Sequence, residues 1–353
     1  MRIARVEVIP YALPFREPYV TARGRLGQRE MALLRLHSNE GLEGLGEAVP
    51  LSLRGGRDLA SVVDELQRLG GRDSLDEATL RGDALSLSAP ARCAALTALL
   101  DLRGRTAAAN GTTAPVEADA IECNATLSAG EPAAVAAEAL RWAEDGFQTF
   151  KLKLGAGDDF GQVLAVREAV GPRARIRVDA NAAWDVATAK RVLKSLEPLE
   201  VELAEQPVAT LEDAVEVAAS TSIPIAGDES VESRGDAERA LEMRACSLTG
   251  IKLAKVGGPE AAIEIAEILP AYISSALDGP VGIAAAAQVA ATLRVAAATS
   301  GPGLAHGLAT QRLFASSIAE VECELRKGKL HPPPGPGLGV KIDDDALAAH
   351  RLQ

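Results

Sequence analysis

Six charged side chains recur at the ends of five short apolar runs between Lys151 and Lys255. The runs are TFKLKLG, IRVDAN, VELAEQP, IPIAGDES and GIKLAKVGG. From Lys153 to Asp179, Glu205, Asp228 and Lys252 the steps are 26, 26, 23 and 24 residues. Three carboxylates in that register make an all-oxygen donor set. Such a set suits Mg²⁺, a hard cation that keeps positions open for water or substrate, with Mn²⁺ as a substitute. The lysines cannot be ligands and suit acid/base work instead. Lys151 and Lys153 form a like-charge pair, and both repulsion and desolvation lower an ammonium pKa toward that of a useful base. A single Asp or Glu after a strand is most often a helix cap or a solvated loop charge. Structural ion pairs, however, have no reason to recur at every step of a repeating unit. Lys255 lies at an odd offset from Lys252 and reads as a solvated or helix-end lysine, and Glu229 as a brace beside Asp228.

Steps of this length match one strand-plus-helix unit of a compact (β/α)8 barrel. Between the runs, Trp184 to Leu196 and Leu211 to Ala219 carry apolar residues at helical spacing. Strands alternating with helices imply a closed parallel sheet. Side chains alternate faces along a strand, so Lys151 shares a face with Lys153, and Arg177 with Asp179. Ile176 and Val178 then face the helices. Arg177 and Asp179 point into the barrel, where an unpaired charge is expensive and must be neutralised. Barrel enzymes keep their chemistry at the C-terminal ends of the strands.

The first 115 residues read as a separate α+β unit. Strand patterns cover 3–11, 32–37 and 43–48, and helical patterns cover 58–69, 76–87 and 89–103. The connection from Pro14 to Gln28 is long and holds Arg16, Arg23, Arg25 and Gly27. Loops of that length are commonly functional, so it is expected to close over a substrate, with Arg25 as a candidate contact. NGTTAP at 110–115 marks the boundary. The barrel then runs over 116–324 as seven βα units and a last strand. Its first strand is expected at 121–125, with AYISSALD and GPGLAHGL as the seventh and eighth. Residues 325–353, with an extended Pro/Gly stretch from Pro332, return to complete the N-terminal unit. The fold class is thus α/β, a modified (β/α)8 barrel with an N-terminal α+β domain.

Composition narrows the function. A chain of 353 residues with 47% hydrophobic content can hold a barrel and a smaller domain. A net charge of -12 argues against nucleic acid or an anionic membrane as partner and leaves a small acidic substrate open. Cys93, Cys123, Cys246 and Cys323 fit neither a zinc pattern nor a dense disulfide framework, so buried thiols in a reducing compartment are expected. MRIARVEVIP is an alternating strand rather than a signal peptide, and no run reaches the uncharged length of a membrane span. A cytoplasmic enzyme is the expectation. The sequence leaves the oligomeric state open, a homo-oligomer included.

With these residues placed, the chain resembles the enolase superfamily over nearly its whole length, and within it the muconate-lactonizing subgroup. The likeness rests on Lys151-x-Lys153 on the second barrel strand, Asp179 in VDAN, Glu205 in EQP, Asp228 in GDES and Lys252 on the sixth strand. The N-terminal unit with GLGEAVP resembles that family's capping domain. The resemblance implies abstraction of a proton α to a carboxylate, with Mg²⁺ stabilising an enediolate.

The subgroup includes o-succinylbenzoate synthases, N-succinylamino acid racemases, dipeptide epimerases and muconate cycloisomerases. Ser274-Ser275 and Pro302-Gly303-Leu304 resemble the synthases, and GPGLAHGL stands where the epimerases carry D-x-D. By that likeness Ser274 and the Gly303 backbone hold the substrate's succinyl carboxylate, and Arg177 and Asn181 support the metal side. The implied reaction is dehydration of 2-succinyl-6-hydroxy-2,4-cyclohexadiene-1-carboxylate to 2-succinylbenzoate, a step of menaquinone biosynthesis. Two readings from other classes stand beside it: a catalytically silent binding barrel, and a Schiff-base aldolase using Lys153 or Lys252.

Overall fold

A computed structural model describes residues 1–21, 24–51, 56–71, 75–112, 119–297 and 303–352. Arg23, Pro302 and the end of the expected domain boundary lie outside them. The N-terminal unit opens with three antiparallel strands, β1 (Arg2–Thr21), β2 (Gly24–Ser38) and β3 (Glu43–Ala48). Helix α1 (Leu59–Leu69), the short strand β4 (Leu75–Asp76), α2 (Glu77–Ala84) and α3 (Ala89–Ala109) follow. Asp58 and Asp76 cap α1 and α2, each accepting from a backbone N–H three residues on.

The described residues of the stretch expected to be a loop at 14–28 are instead strand. β1 and β2 pair from Ile3–Ser38 to Thr21–Gly24, with a register shift between Pro14 and Tyr19. Pro14 and Pro18 cannot donate to the ladder and break the period-two pattern, which is why the segment resembles a loop in sequence. Pairing resumes beyond them, Tyr19 opposite Leu26 and Val20 opposite Arg25.

After the short β5 (Ile121–Glu122) come β6 (Ala125–Leu127), α4 (Pro132–Glu144), β7 (Thr149–Lys153), α5 (Asp159–Val170), β8 (Arg175–Asp179), α6 (Val186–Leu196), β9 (Val201–Glu205) and α7 (Leu211–Ala218). Next come β10 (Ile225–Gly227), α8 (Arg234–Met243), β11 (Leu248–Ile251), the single-turn α9 (Leu253–Val256), α10 (Pro259–Ala266), β12 (Ala271–Ile273) and α11 (Pro280–Ala297). Strands β6 to β12 form one parallel sheet in chain order. The eighth position is not a full strand. Single parallel bridges, Cys123 to His306 and Ser274 to Gly307, close the ring there. The first barrel strand is also shorter than expected. β5 leaves the ring to pair with β15 (Lys329–His331), which forms a hairpin with β14 (Glu324–Arg326).

The outward faces of the strands, including Phe150, Leu152, Ile176 and Val178, join Val163, Val166, Ala189 and Leu193 of the helices in one apolar core. Inside the ring lie Leu203, Ala226, Leu248, Tyr272 and the fully buried Arg177. At the C-terminus, β13 (Ala319–Val321) pairs with β16 (Lys341–Ile342), and α12 (Asp344–His350) ends the chain. This end lies on the N-terminal unit. Leu338 N–H donates to Asp101, Arg105 to the Val340 carbonyl, and Arg35 pairs with Asp344 at 2.5 Å. All four cysteines are buried and unpaired. No helix among the described residues is long and apolar enough to cross a membrane.

Close approach of β3 to α3 fixes two glycines of GLGEAVP. A Cβ on Gly44 would sit 2.3 Å from the Ala98 carbonyl oxygen and 2.5 Å from Leu102 Cβ, and one on Gly46 would sit 2.0 Å from the Ala94 oxygen. Backbone oxygens of a helix cannot step aside cheaply. Gly44→Ala is therefore expected to lower unfolding stability by about 1–3 kcal/mol, the usual cost of overpacking. A denaturant midpoint equal to that of the parent chain would contradict this packing.

Candidate active site

Parallel pairing sets the site's geometry. Lys153 lies opposite Asp179, Asp179 opposite Glu205, and Glu205 opposite Ala226, two residues before Asp228. Asp228, Lys252 and Ser274 each follow the last residue of their strand. Asp179, Glu205, Asp228, Lys151 and Lys252 are all nearly inaccessible to solvent, yet none is bare. Lys151 Nζ donates to Glu205 Oε2 at 2.5 Å and lies 2.9 Å from Asp179 Oδ2. Lys153 Nζ donates to Asp179 Oδ2 at 2.5 Å and to Asn181 Oδ1 at 2.9 Å. Lys252 pairs with Asp228 Oδ2. Asn181, at φ +47°, also donates its backbone N–H to Asp179 Oδ1.

The pKa values follow from burial and these pairs. Burial alone would pull Lys151 down, but Asp179 and Glu205 outweigh it and hold the ammonium above its ordinary value. The lowering expected from the Lys151–Lys153 pair is thus reversed at Lys151, because the carboxylates are its direct partners. At Asp179 burial pushes upward, and Lys151, Lys153 and Lys252 together reverse it, holding the carboxyl well below its usual range. Glu205 is pushed up, first by burial and then by Asp179.

Several participants carry no obvious signal in the sequence. Lys255 is buried rather than solvated, and its Nζ donates to the Asp228 carbonyl and, at 2.8 Å, to Asp228 Oδ1. The strand ends at Ile251 and α9 starts at Leu253, so helical spacing brings Lys255 back over the site one turn after Lys252. Strand parity misjudges it. Gln206 accepts from Asp228 N–H, Ser230 N–H and Ser230 Oγ, tying the end of β9 to that of β10. Tyr272 shares a face with Ser274 and donates its hydroxyl to Glu205 Oε2. A Cβ on Gly250 would lie 2.8 Å from that hydroxyl, so the glycine leaves room for the ring.

Three expected contacts fall elsewhere. Arg177 lies beneath the site, bonded to Glu202 at 2.5 Å and to the Ala305 carbonyl at 2.7 Å, with its guanidinium 4.9 Å from the Tyr272 ring centre. Its charge is met below the site by Glu202. Gly303 is exposed in a hollow with Arg175 and Ala271, the first residues of β8 and β12, so it stands at the opposite end of the barrel. Gly307, further along the same segment, borders the site beside Ser274. Arg25 is exposed in a cleft that adjoins the cavity, sharing Leu26, Arg29 and Pro50 with it, and does not itself line the cavity. Arg29, four residues later, lines both that cleft and the cavity.

The cavity over the strand ends is bordered by Lys151, Lys153, Lys252, Asn181 and Ser274, and by Tyr19, Leu26 and Arg29 of the hairpin. Lys153 on β7 and Lys252 after β11 stand four strands apart in an eight-position ring, which places them on opposite sides. The donor chemistry fits a hard divalent cation: three buried carboxylates on successive strands, with Glu205 Oε1 lacking any hydrogen-bond partner. In this structure the carboxylates are turned toward the lysines, and the described residues hold no ready-made group of three or more metal-binding side chains.

Comparison with known proteins agrees with this geometry. Residues 134–346 match the family model described as enolase C-terminal domain-like. The chain is 39% identical to an o-succinylbenzoate synthase of Thermobifida fusca, over 61% of this chain and 67% of that protein. It is 31% identical to muconate cycloisomerase 1 of Pseudomonas putida, over 98% and 97%. A dipeptide epimerase from Cytophaga hutchinsonii, solved with Mg and the dipeptide D-Ala-L-Val, superposes with a TM-score of 0.88 at 26% identity, over 99% of this chain and 98% of that one. The chain belongs to the enolase superfamily, in its muconate-lactonizing subgroup.

Proposed function

We propose that this enzyme is a Mg²⁺-dependent o-succinylbenzoate synthase. Its reaction is the syn dehydration of 2-succinyl-6-hydroxy-2,4-cyclohexadiene-1-carboxylate to 2-succinylbenzoate through an enediolate. The observation that carries this reading is the charge of the cavity wall. Arg29, Lys151, Lys153 and Lys252 are the charged side chains that line it, and no carboxylate is among the described lining residues. A substrate with two carboxylates suits such a wall, and a dipeptide ammonium finds no acid there. The 39% identity to a synthase points the same way.

Asp179, Glu205 and Asp228 would hold the metal ion, and Mn²⁺ shares its preference for oxygen donors. When bound, the ion supplies positive charge against the enediolate. Lys153, as the free amine, takes the proton α to the ring carboxylate. The resulting ammonium returns that proton to the hydroxyl leaving from the same face, so water departs and the ring becomes aromatic. Lys252, across the ring of strands, faces the developing anion and the forming aromatic ring as a cation. Lys151, whose ammonium is held above its usual pKa, stays charged and pins Glu205 and Asp179. Ser274, which lines the cavity, would hold the succinyl carboxylate, and Asn181, bonded to Lys153, would orient it.

The same two lysines on opposite sides also suit an N-succinylamino acid racemase, in which each would serve one enantiomer. This is the runner-up. It predicts a different pattern of losses.

Turnover is expected to vanish on exhaustive chelation and to return with Mg²⁺ or Mn²⁺. Asp228→Asn is expected to abolish it and also to lower metal-free thermal stability, because it takes a carboxylate partner from the buried Lys252 and Lys255. Activity that survives chelation would refute the metal assignment.

For the reaction itself, product absorbance in the wild-type enzyme is the decisive measurement. Lys153→Arg should lose roughly 10³-fold or more of dehydration, since guanidinium cannot act as a base near neutral pH. Lys252→Arg keeps a cation and should retain measurable dehydration. A racemase would lose racemisation in both variants. Fast racemisation of N-succinyl amino acids with no aromatic product would replace the first reading with the second.

A further inference from the structure

The wall of the cavity formed by Ser274, Ser275, Ala276 and Leu277 is the turn between β12 and α11. Leu277 sits at φ +68°, a left-handed conformation that a leucine adopts only when its surroundings hold it there. Three groups hold it. Asp278 Oδ2 accepts from Ser275 Oγ and from Ala276 N–H, both at 2.7 Å. Arg29 donates to the Ala276 carbonyl at 3.1 Å and to the Pro50 carbonyl at 2.7 Å.

The third group is Glu47, which comes from β3 of the N-terminal unit and is almost fully buried. Its Oε1 accepts from Gly279 N–H at 2.6 Å, and the Gly282 amide, in the first turn of α11, is a further donor. Its Oε2 accepts from the Tyr11 hydroxyl at 2.7 Å. Both glycines are shaped to this carboxyl. A Cβ on Gly279 would lie 2.4 Å from the Tyr11 oxygen and 2.6 Å from Glu47 Oε2, and one on Gly282 would lie 2.7 Å from Glu47 Oε1. Burial, and secondarily the charge of Asp278, push the Glu47 pKa up to about 7. A buried acid kept under those conditions with such specific donors is a positional device.

We propose that Glu47 is a positioning residue for the active site. From the N-terminal unit it grips the start of α11 and so fixes the strained Leu277 and the Ser274–Leu277 wall against which the substrate's distal part lies. Glu47 touches no reacting atom. Its effect falls on substrate binding rather than on proton transfer. The proposal rests on the dehydration reading only for the choice of substrate probe.

The test compares wild-type protein with Glu47→Gln, which keeps the size of the side chain but replaces one acceptor by an amide donor. Amide hydrogen exchange is measured on the peptide spanning 274–283, with the α1 peptide as a control for global loosening. In parallel, KM and kcat are measured with Mg²⁺ and 2-succinyl-6-hydroxy-2,4-cyclohexadiene-1-carboxylate. Glu47→Gln is expected to speed exchange in 274–283 and not in α1. It should raise KM about tenfold or more, as for loss of one hydrogen bond that leaves a buried donor unsatisfied, with kcat within about twofold. Tyr11→Phe, which removes only the hydroxyl donor, should shift both readouts in the same direction by less, and it decides the question if Glu47→Gln does not fold. Unchanged exchange in 274–283, or a fall in kcat at constant KM, would overturn the proposal. If the wild-type enzyme shows no turnover of this probe, the reaction assignment fails, and the exchange comparison alone still decides the role of Glu47.

Discussion

Everything in this structure turns on charge that has been taken out of water. Asp179, Glu205 and Asp228 are buried at one level of a barrel, and a buried ion is tolerable only with a partner. Lys151, Lys153, Lys252 and Lys255 supply those partners, each within salt-bridge distance of a carboxylate. The closed sheet makes this possible because parallel pairing brings the ends of successive strands to the same height. One level down, Arg177 is neutralised by Glu202 and packed on Tyr272, so the barrel's interior holds a second charge without exposing it. Stability and chemistry are therefore linked. The ion pairs that make burial tolerable are made of the same groups that a cation and a substrate would engage.

The N-terminal unit does more than cover the barrel. Tyr19 and Leu26, paired across the β1–β2 hairpin, bring apolar side chains to the cavity, and Arg29 brings charge. Barrel and N-terminal unit meet where Arg29 and Glu47 hold the turn after β12. The candidate chemical groups thus stand at the strand ends, and the contact between two units shapes the cavity. That division explains how relatives named as synthase, cycloisomerase and epimerase align with this chain at 39%, 31% and 31% identity. A proton α to a carboxylate can be handled by one set of lysines, while the wall decides which molecule presents it.

The barrel, its five charged runs and the lysine and carboxylate positions are legible in the chain because each repeats a local rule. Strand parity puts Lys151 with Lys153 and Arg177 with Asp179 inside, and a strand-plus-helix unit of nearly constant length brings the ends into register. What fails is what local rules cannot carry. Lys255 is misjudged because the strand stops at Ile251 and helical geometry takes over, and only the fold shows where that change falls. The hairpin at 14–28 resembles a loop because two prolines interrupt the alternation, yet pairing to a distant strand resumes past them.

Gly303 and Arg25 fail for a related reason. Each is a few residues from the position that borders the cavity, Gly307 in one case and Arg29 in the other. The eighth ring position is held by single bridges rather than a ladder, so no periodicity marks its height. Tyr272 meeting Glu205, and Glu47 gripping Gly279 across 232 residues, are contacts between distant parts of the chain. Which groups are candidates for chemistry, and at which strand ends they stand, can be read along the chain, because hydrophobic period and side-chain parity are local. Only the tertiary structure decided which neighbours neutralise them and what shapes the cavity, because those depend on where separate elements meet in space.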